Sequence, residues 1–184
     1  MKPQGASGAP ADTDTERLFI GLWPDSALRA RVDELAAPAV RKARARPVPA
    51  DNLHVTVVFI GNWPVAAREQ AEMVVDALDI PDEDLVFDRI VRWRKAKVVA
   101  LVTDQIPDAL AAWQRDIAAG LAAAGWTPEP RPWRPHVTVG RKAEGALRKT
   151  LEEPLVWPCR QVALVRSEND GGGSVYRPLR VWER

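Results

Sequence analysis

The pattern of apolar and polar positions predicts a chain in which strands and amphipathic helices are interspersed. Strands are predicted where β-branched and aromatic residues cluster between Gly, Pro and Asn, at residues 17–23, 54–60, 85–93, 98–103, 135–140, 161–166 and 174–182. Helical spacing of apolar residues predicts helices between Pro24 and Pro47, over 64–78, over 108–124 and over 144–151. This mixture of paired strands and helices indicates an α+β architecture.

Length and composition indicate a single globular domain. The chain has 184 residues, of which 46% are hydrophobic and 28% are charged. Residues 1–15, rich in Gly, Ala, Pro, Asp and Thr, are expected to form a flexible tail before a single domain over 16–184. We find no segment with the length of a membrane span or the apolar centre of a signal peptide. The single cysteine, Cys159, excludes an internal disulfide and a Cys-based zinc site, so a cytoplasmic location without membrane attachment is expected.

Both histidines of the chain begin the same tetrapeptide, His-Val-Thr-Val, at 54–57 and at 136–139. Because residues i and i+2 of a strand point to the same face, His54 and Thr56 share one face, as do His136 and Thr138. The valines between them face the opposite side, where they anchor each strand in a core. Each motif therefore presents an imidazole and a hydroxyl from a rigid strand. Two such motifs predict two related lobes that face each other across a cleft.

These residue types suit the cleavage of a phosphodiester. The reaction needs a base to deprotonate the nucleophile and an acid to protonate the departing oxygen, and an imidazole with an unperturbed pKa of about 6.5 does either near neutrality. The hydroxyls of Thr56 and Thr138 can donate to non-bridging phosphate oxygens. Arg141 is a candidate for a bidentate phosphate clamp. Strict alternation from His136 points Arg141 away from the histidine face, unless the strand twists or bends near Gly140.

The net charge is only +1, so any binding of nucleic acid must come from local clusters of basic residues. Such residues lie close to both motifs: Arg41, Lys42, Arg44 and Arg46 before the first, Arg131 and Arg134 before the second, and Arg141 and Lys142 after it. A run of this kind at a helix end is often simply a solvated surface. Its proximity to the motifs makes contact with RNA an equally good interpretation.

Each feature also has a structural interpretation. A single histidine in a strand is usually a hydrogen-bonded structural residue, but the repeated tetrapeptide at both histidines favours a functional pair. A catalytic zinc usually takes three protein ligands, and the spacing supplies no third histidine, so no metal is predicted. Phe59 and Trp133 lie near the motifs and are candidates for stacking on a base, with packing in the core as the alternative for both.

The residues around both motifs resemble those of the bacterial RNA 2′,3′-cyclic phosphodiesterases, historically called 2′–5′ RNA ligases, of the two-histidine phosphoesterase superfamily. The resemblance runs in order through residues 16–184. It begins with Arg17–Pro24, continues through Val48–Gly61 around the first motif, and includes Trp133–Arg141 around the second. The Gly-rich loop before Tyr176 is also similar.

The resemblance implies a bilobal α+β fold in which two pseudo-symmetric lobes with antiparallel sheets flank a central cleft, with helices outside. It implies hydrolysis of the 2′,3′-cyclic phosphate of RNA ends, or of small cyclic nucleotides, to a 2′-phosphate without metal or cofactor, and also a reverse 2′–5′ ligation. On the matching positions, His136 is expected to activate water and His54 to protonate the leaving 3′-oxygen. Thr56, Thr138 and Arg141 are expected to bind the phosphate.

Three alternatives stay open. The same acid–base pair would serve a phosphodiesterase that acts on another cyclic phosphate or on a 2′–5′ oligonucleotide. A non-catalytic module would hold a nucleotide or an RNA end without turnover, although both H-x-T motifs are intact. A structural protein that has kept the fold is the third. A monomer is expected, because the sequence has no coiled-coil pattern.

Overall fold

The structure, a computed structural model, describes residues 14–128, 131–171 and 173–184. Residues 1–13 of the predicted tail lie outside this description, and Thr15 is the first residue of β1. The elements follow in the order β1 (Thr15–Leu22), α1 (Ser26–Lys42), β2 (Arg46–Pro47), β3 (Val55–Pro64), α2 (Arg68–Asp76), β4 (Asp84–Trp93), β5 (Val98–Val102), α3 (Asp108–Ala123), β6 (His136–Arg141), β7 (Arg148–Pro158), β8 (Gln161–Asn169) and β9 (Ser174–Glu183). The predicted α+β class is confirmed.

All the described strands belong to one antiparallel sheet. Its order is β7-β4-β5-β6-β3-β1-β8-β9, and β2 pairs with β6 beside this path. The central strands β6 and β3 are joined at one pair of Cα partners, Val55 and Val137. The sheet therefore consists of two four-stranded halves, β7-β4-β5-β6 and β3-β1-β8-β9, that meet at this junction. Each half contains a strand–helix–strand unit, β5-α3-β6 or β1-α1-β3, and its second strand carries an H-x-T motif or directly follows the motif's histidine.

Helices α1 and α3 each pack against the half of the sheet to which their own flanking strands do not belong. Helix α1 begins after Asp25, whose carboxylate accepts a hydrogen bond from the backbone N–H of Leu28 at 2.7 Å. It follows β1, yet its main strand contacts are with β2, β5 and β6. Helix α3 follows β5 and contacts β3 and α2 instead. The helix predicted over 108–124 is confirmed, and its buried face consists of Leu110, Trp113, Ile117 and Leu121.

The helix predicted over 144–151 is wrong. Residues from Arg148 onward form β7, which pairs with β4 from Asp84↔Pro158 to Val91↔Arg148. A spacing of four residues between Leu147 and Leu151 fits a helical turn, and it also fits an even interval on one face of a strand. The segment forms a strand because pairing with β4 provides hydrogen-bond partners for the backbone N–H and C=O groups of both strands.

The helix predicted over 64–78 is shorter than expected. Strand β3 continues to Pro64, a 3₁₀ turn covers Val65–Ala67, and α2 occupies only Arg68–Asp76. Cys159 is part of the hydrophobic core, with 2% exposure. None of the helices in the described part of the chain is long and apolar enough to cross a membrane.

Candidate active site

The two H-x-T motifs meet where the halves of the sheet join. Val55 and Val137 are antiparallel Cα partners, and both have 0% exposure. In this register His54 lies opposite Thr138, and Thr56 lies opposite His136. The two histidines are then diagonal neighbours, with Cβ atoms about 7–8 Å apart in an ideal ladder. Across the junction each histidine therefore lies opposite the threonine of the other motif, and His54 is also within hydrogen-bond distance of Thr56 in its own motif.

Two cavities on either side of this junction reproduce the same crosswise pairing. His54 and Thr138 line a cavity of about 330 Å³, here called the His54 cavity. His136 and Thr56 line a larger cavity of about 760 Å³, here called the His136 cavity. A ligand group held between the two histidines would thus adjoin both the His54 cavity and the His136 cavity.

A β-bulge after Thr138 brings Arg141 to the site. The pairing of β6 with β5 shifts by one residue, because Ala100 pairs with Thr138 whereas Val99 pairs with Gly140. The additional residue, Val139, is buried like Gly140, so side chains beyond the bulge change face. Arg141 consequently lines the His54 cavity together with Thr138. The expectation that strict alternation would turn Arg141 away fails at this bulge.

The first motif has the corresponding bulge. The pairing of β3 with β1 shifts between Thr56 and Val58, and both Val57 and Val58 are buried. Phe59 therefore returns to the face of Thr56 and lines the His136 cavity, with 36% exposure. Phe59 and Arg141 each follow their histidine by five residues. The pseudo-symmetric position thus carries an aromatic ring in one cavity and a guanidinium in the other.

His54 lies among polar partners and aromatic rings. Its Nδ1 is 2.7 Å from the carbonyl oxygen of Asn52, and its Nε2 is 3.0 Å from Oγ1 of Thr56. The ring centroid of His54 is 4.6 Å from that of Phe19, 6.0 Å from that of Trp23 and 5.0 Å from that of Tyr176. Burial lowers the pKa of His54 to about 4, and the positive charges of His136 and Arg141 act in the same direction, whereas the hydrogen bond to Asn52 opposes them.

His136 repeats part of this arrangement. Its Nδ1 is 2.8 Å from the carbonyl oxygen of Arg134, two residues before it, as Asn52 is two residues before His54. A carbonyl only accepts, so both rings carry a proton on Nδ1 and the neutral form has its lone pair on Nε2. Burial also lowers the pKa of His136, and the bond to Arg134 opposes this. Trp93 contacts the ring of His136, with centroids 4.7 Å apart at an interplanar angle of 61°.

A side-chain network connects the C-terminal strand to the His54 cavity. The amide of Asn52, which is 9% exposed, donates to the carbonyl of Ser174 at 2.6 Å and accepts from the N–H of Tyr176 at 3.2 Å. The hydroxyl of Tyr176 accepts from Nη2 of Arg141 at 3.4 Å. Asn52 and Tyr176 therefore contact both His54 and the β9 edge of the cavity.

The His136 cavity has aromatic walls whose orientation is fixed by hydrogen bonds to β3. The indole N–H of Trp133 donates to the carbonyl of Thr56 at 2.8 Å, and that of Trp126 donates to the carbonyl of Ile60 at 3.0 Å. Phe59 completes this wall, and the guanidinium of Arg17 lies 4.9 Å from its ring centroid. The cavity is also lined by the cationic residues Lys95, Arg131 and Arg134.

The structure places the candidate catalytic, phosphate-binding and stacking residues at the two cavities, His54, Thr138 and Arg141 at one and His136, Thr56, Phe59 and Trp133 at the other. Of the basic residues near the motifs, Arg41, Lys42 and Arg44 line neither cavity. The structure adds residues that the sequence reasoning did not single out: Asn52 and Tyr176 at the His54 cavity, and Trp93 and Trp126 at the His136 cavity. Trp93 contacts the ring of His136 from β4, a strand two places away in the sheet, and no local pattern reveals this contact. In the described ranges, no three His, Cys, Asp or Glu side chains are grouped so as to hold a metal ion.

The fold and this pair of motifs define a two-lobed α+β protein with a histidine pair at the junction. Comparison with known families assigns it further: the model of the 2′–5′ RNA ligase superfamily matches residues 24–171. The chain belongs to this superfamily.

Individual relatives agree with the assignment. An Escherichia coli K12 protein named RNA 2′,3′-cyclic phosphodiesterase is 26% identical over 173 residues, which cover 92% of this chain and 97% of the relative. One of the same name from Thermus thermophilus is 27% identical, covering 89% of this chain and 87% of the relative. The crystal structure of E. coli LigT complexed with 3′-AMP superposes with a TM-score of 0.80 at 26% identity, covering 92% of this chain and 98% of LigT.

Proposed function

We propose that the protein is an RNA 2′,3′-cyclic phosphodiesterase that opens the cyclic phosphate to a 2′-phosphate with His54 and His136 as its acid–base pair. The observation that carries the proposal is the crosswise arrangement at Val55 and Val137, with an imidazole and a hydroxyl on each side. The relatives named RNA 2′,3′-cyclic phosphodiesterase support the substrate class.

In the proposed reaction a water oxygen attacks phosphorus and the bond from phosphorus to O3′ breaks. Nε2 of His136 takes a proton from the water, and Nε2 of His54 gives a proton to O3′, so the products are a 2′-phosphate and a free 3′-hydroxyl. The hydrogen bond from Nδ1 of His136 to the carbonyl of Arg134 supports its role as base, because it leaves the lone pair on Nε2. The two imidazoles then exchange protons with solvent and regain their starting states.

His54 must be protonated to act as the acid, although burial lowers its pKa to about 4 in the free protein. A phosphate anion beside the ring stabilises the imidazolium and raises this pKa. The carbonyl of Asn52, 2.7 Å from Nδ1, favours the same charged form. We therefore propose that His54 takes up a proton when the substrate binds. Calorimetric binding of a 2′-phosphate product in buffers of different ionisation enthalpy measures this uptake, and a buffer-independent heat would contradict it.

Thr56, Thr138 and Arg141 are the proposed ligands of the non-bridging oxygens. They lie on the histidine face of their strands, and Arg141 reaches it through the bulge at Val139. Charge develops on these oxygens in the transition state, and donors fixed on strands stabilise it without reorganising. Phe59 and Trp133 are the proposed stacking surfaces for the base of the terminal nucleotide.

The first test is incubation of the purified protein with a short RNA that ends in a 2′,3′-cyclic phosphate, in excess EDTA, with identification of the product phosphate position. We expect a 2′-phosphate product and its loss in His54→Ala and in His136→Ala. Arg115→Ala, which truncates an exposed residue of α3, is the matched control. Tight binding without turnover by the wild type would favour the non-catalytic module, and neither binding nor turnover would refute the substrate class.

A substrate with sulfur in place of the bridging 3′-oxygen distinguishes the role of His54 from that of His136. A 3′-thiolate leaves without a proton, so the acid is no longer needed. We expect this substrate to restore most of the chemical step in His54→Ala and none of it in His136→Ala. The opposite pattern would exchange the roles of the two residues and keep the proposed reaction.

Incubation of two RNA strands, one with a cyclic phosphate end and one with a 5′-hydroxyl end, tests the 2′–5′ ligation expected from the family.

A further inference from the structure

Three segments that carry basic residues meet beside the His54 cavity, and three of their cations, Arg46, Arg141 and Lys142, line it. The segments are residues 41–46 from the end of α1 to β2, residues 97–98 at the turn into β5, and residues 141–144 from the end of β6 onward. We call them the basic rim. It contains the cations Arg41, Lys42, Arg44, Arg46, Lys97, Arg141 and Lys142, and a single carboxylate, Glu144.

Backbone pairing fixes these segments next to one another. Arg141 has Arg46 as its Cα partner on one side and Val98 on the other. Beyond the strand end, the N–H of Ala143 donates to the carbonyl of Lys97, and the N–H of Glu144 donates to the carbonyl of Ala43, both at 2.8 Å. Neighbouring strands are about 4.8 Å apart, so the cations of all three segments lie within a few strand spacings.

Three residues of the rim adopt a conformation that L-residues rarely take. Arg44, Lys97 and Lys142 have φ of +49°, +53° and +56°, and they are the non-glycine residues with positive φ in the described part of the chain. Such a conformation has a cost in free energy that asparagine or glycine would reduce. All three positions carry an exposed cation instead. Their charge and their place beside the cavity therefore need an explanation beyond the turn itself.

The charge of the rim contrasts with the charge of the whole chain. Net charge is only +1, so the excess of cations at the rim is balanced by carboxylates elsewhere. A local positive potential of this kind attracts a polyanion to one surface and leaves the rest of the molecule neutral or repulsive. It extends outward from Arg141, which the proposed function already places at the cyclic phosphate.

We propose that the basic rim binds the backbone phosphates of the RNA strand on the 5′ side of its terminal nucleotide. The proposal rests on the proposed function, and it names the substrate as an RNA strand rather than a free cyclic nucleotide. In a strand that ends in a 2′,3′-cyclic phosphate, the other phosphates lie on the 5′ side. The rim offers exposed cations next to Arg141, which is the chemistry that a flexible chain of phosphates recognises.

The test is the double substitution Arg44→Asn with Lys97→Asn. Asparagine tolerates positive φ, so the change removes two charges while favouring the same backbone. Neither residue lines the His54 cavity or the His136 cavity. An exposed ion pair contributes up to about a fivefold change in an equilibrium constant, so kcat/KM for an oligonucleotide with a cyclic end should fall ~5- to 25-fold at low salt. kcat/KM for a cyclic mononucleotide should stay within about twofold of the wild type, because Arg44 and Lys97 lie outside the cavities that hold it.

Salt dependence gives a second readout that does not need turnover. Affinity for a fluorescent oligonucleotide ending in a 2′-phosphate is measured from low to moderate salt. Each lost phosphate contact lowers the slope of log affinity against log salt by about 0.7 for a single strand. The double variant should thus lose about 1.4 from the slope. The single variant Lys97→Arg should retain the wild-type slope. A second control, Arg31→Gln with Arg115→Gln, removes two exposed cations from α1 and α3 and should also have the wild-type slope.

Equal losses on the oligonucleotide and the mononucleotide would overturn the proposal, because the rim would then act on the active site. Unchanged affinity and salt slope in the double variant would overturn it as well. Failure of the proposed function is distinct: the wild type would turn over neither substrate, and the binding measurement would still decide whether the rim contacts RNA.

Discussion

The Cα atoms of Val55 and Val137 are partners at the point where the two halves of the sheet join. This single pair sets which side chains of the two motifs are opposite each other. Because the pairing is antiparallel, each histidine is placed across from the threonine of the other motif. A one-residue slip would turn one motif over to the other face, so full burial of both valines stabilises the register that the site needs.

Arg141 is expected to contribute to turnover because its guanidinium can donate two parallel hydrogen bonds to the phosphate. Arg141→Ala should lower kcat/KM for a cyclic phosphate by about 10²–10³-fold, the range found when one donor to a developing anion is removed. Arg141→Lys should recover only part of this loss, because an ammonium cannot bind two oxygens in parallel. Arg177→Ala, which removes an exposed arginine paired with Glu168, is the control. An Ala variant with more than a third of wild-type kcat/KM would contradict the assignment.

The stability of the protein should depend on pH through His54. Its pKa is about 4 in the folded chain and near 6.5 in the unfolded chain, so the unfolded state binds the proton first as pH falls. The contribution of His54 is therefore fully present above pH 6.5 and is lost between pH 6.5 and 4, by up to roughly 3 kcal/mol. Urea unfolding of the wild type and of His54→Phe across this range measures the difference, in which other groups cancel. Parallel curves for the two proteins would argue against a depressed pKa.

Asn52 is expected to support both folding and activity. Asn52→Ala leaves the carbonyl of Ser174 and the N–H of Tyr176 without their side-chain partner, which costs about 1–3 kcal/mol in unfolding free energy. Tyr176 contacts both His54 and Arg141, so kcat should fall more than KM rises. Unfolding curves and steady-state kinetics check the two effects. The control is Gln161→Ala, which removes a side-chain hydrogen bond to Glu183 at the other end of the β8–β9 pair. Unchanged kcat in a destabilised Asn52→Ala protein would limit this residue to a structural role.

The close approach of α2 and α3 depends on Gly120. A Cβ at this position would lie 2.7 Å from Cγ1 of Val74, a β-branched side chain with little freedom to move. Gly120→Ala should therefore destabilise the protein by about 1–2 kcal/mol despite the better helix propensity of alanine. In a Val74→Ala background the same substitution should stabilise by up to about 1 kcal/mol. Thermal or urea unfolding of the four proteins gives the coupling, and additive effects would show that the helices adjust instead.

Local patterns predicted the parts of the site that depend on strand alternation. His54 and Thr56, like His136 and Thr138, lie on one face because a strand has a period of two. The crosswise pairing could not be predicted, because it depends on which strands become neighbours. The bulges at Val57 and Val139 escaped prediction because an extra buried valine looks like part of an ordinary apolar run. Residues 144–151 looked helical for another reason: the four-residue interval between Leu147 and Leu151 fits both a helical turn and one face of a strand.

Each half of the sheet is covered by the helix that follows a strand of the other half, so each half depends on the other for burial of its hydrophobic face. Helix α1 leaves the half that contains β1 and β3 and covers β5 and β6, whereas α3 leaves β5 and covers β3. Neither strand–helix–strand unit encloses its own hydrophobic face, so a fragment with one histidine motif would expose a sheet surface to water. We expect the chain to unfold in one cooperative transition, with no surviving half. Unfolding would thus remove the acid and the base of the proposed reaction in the same step.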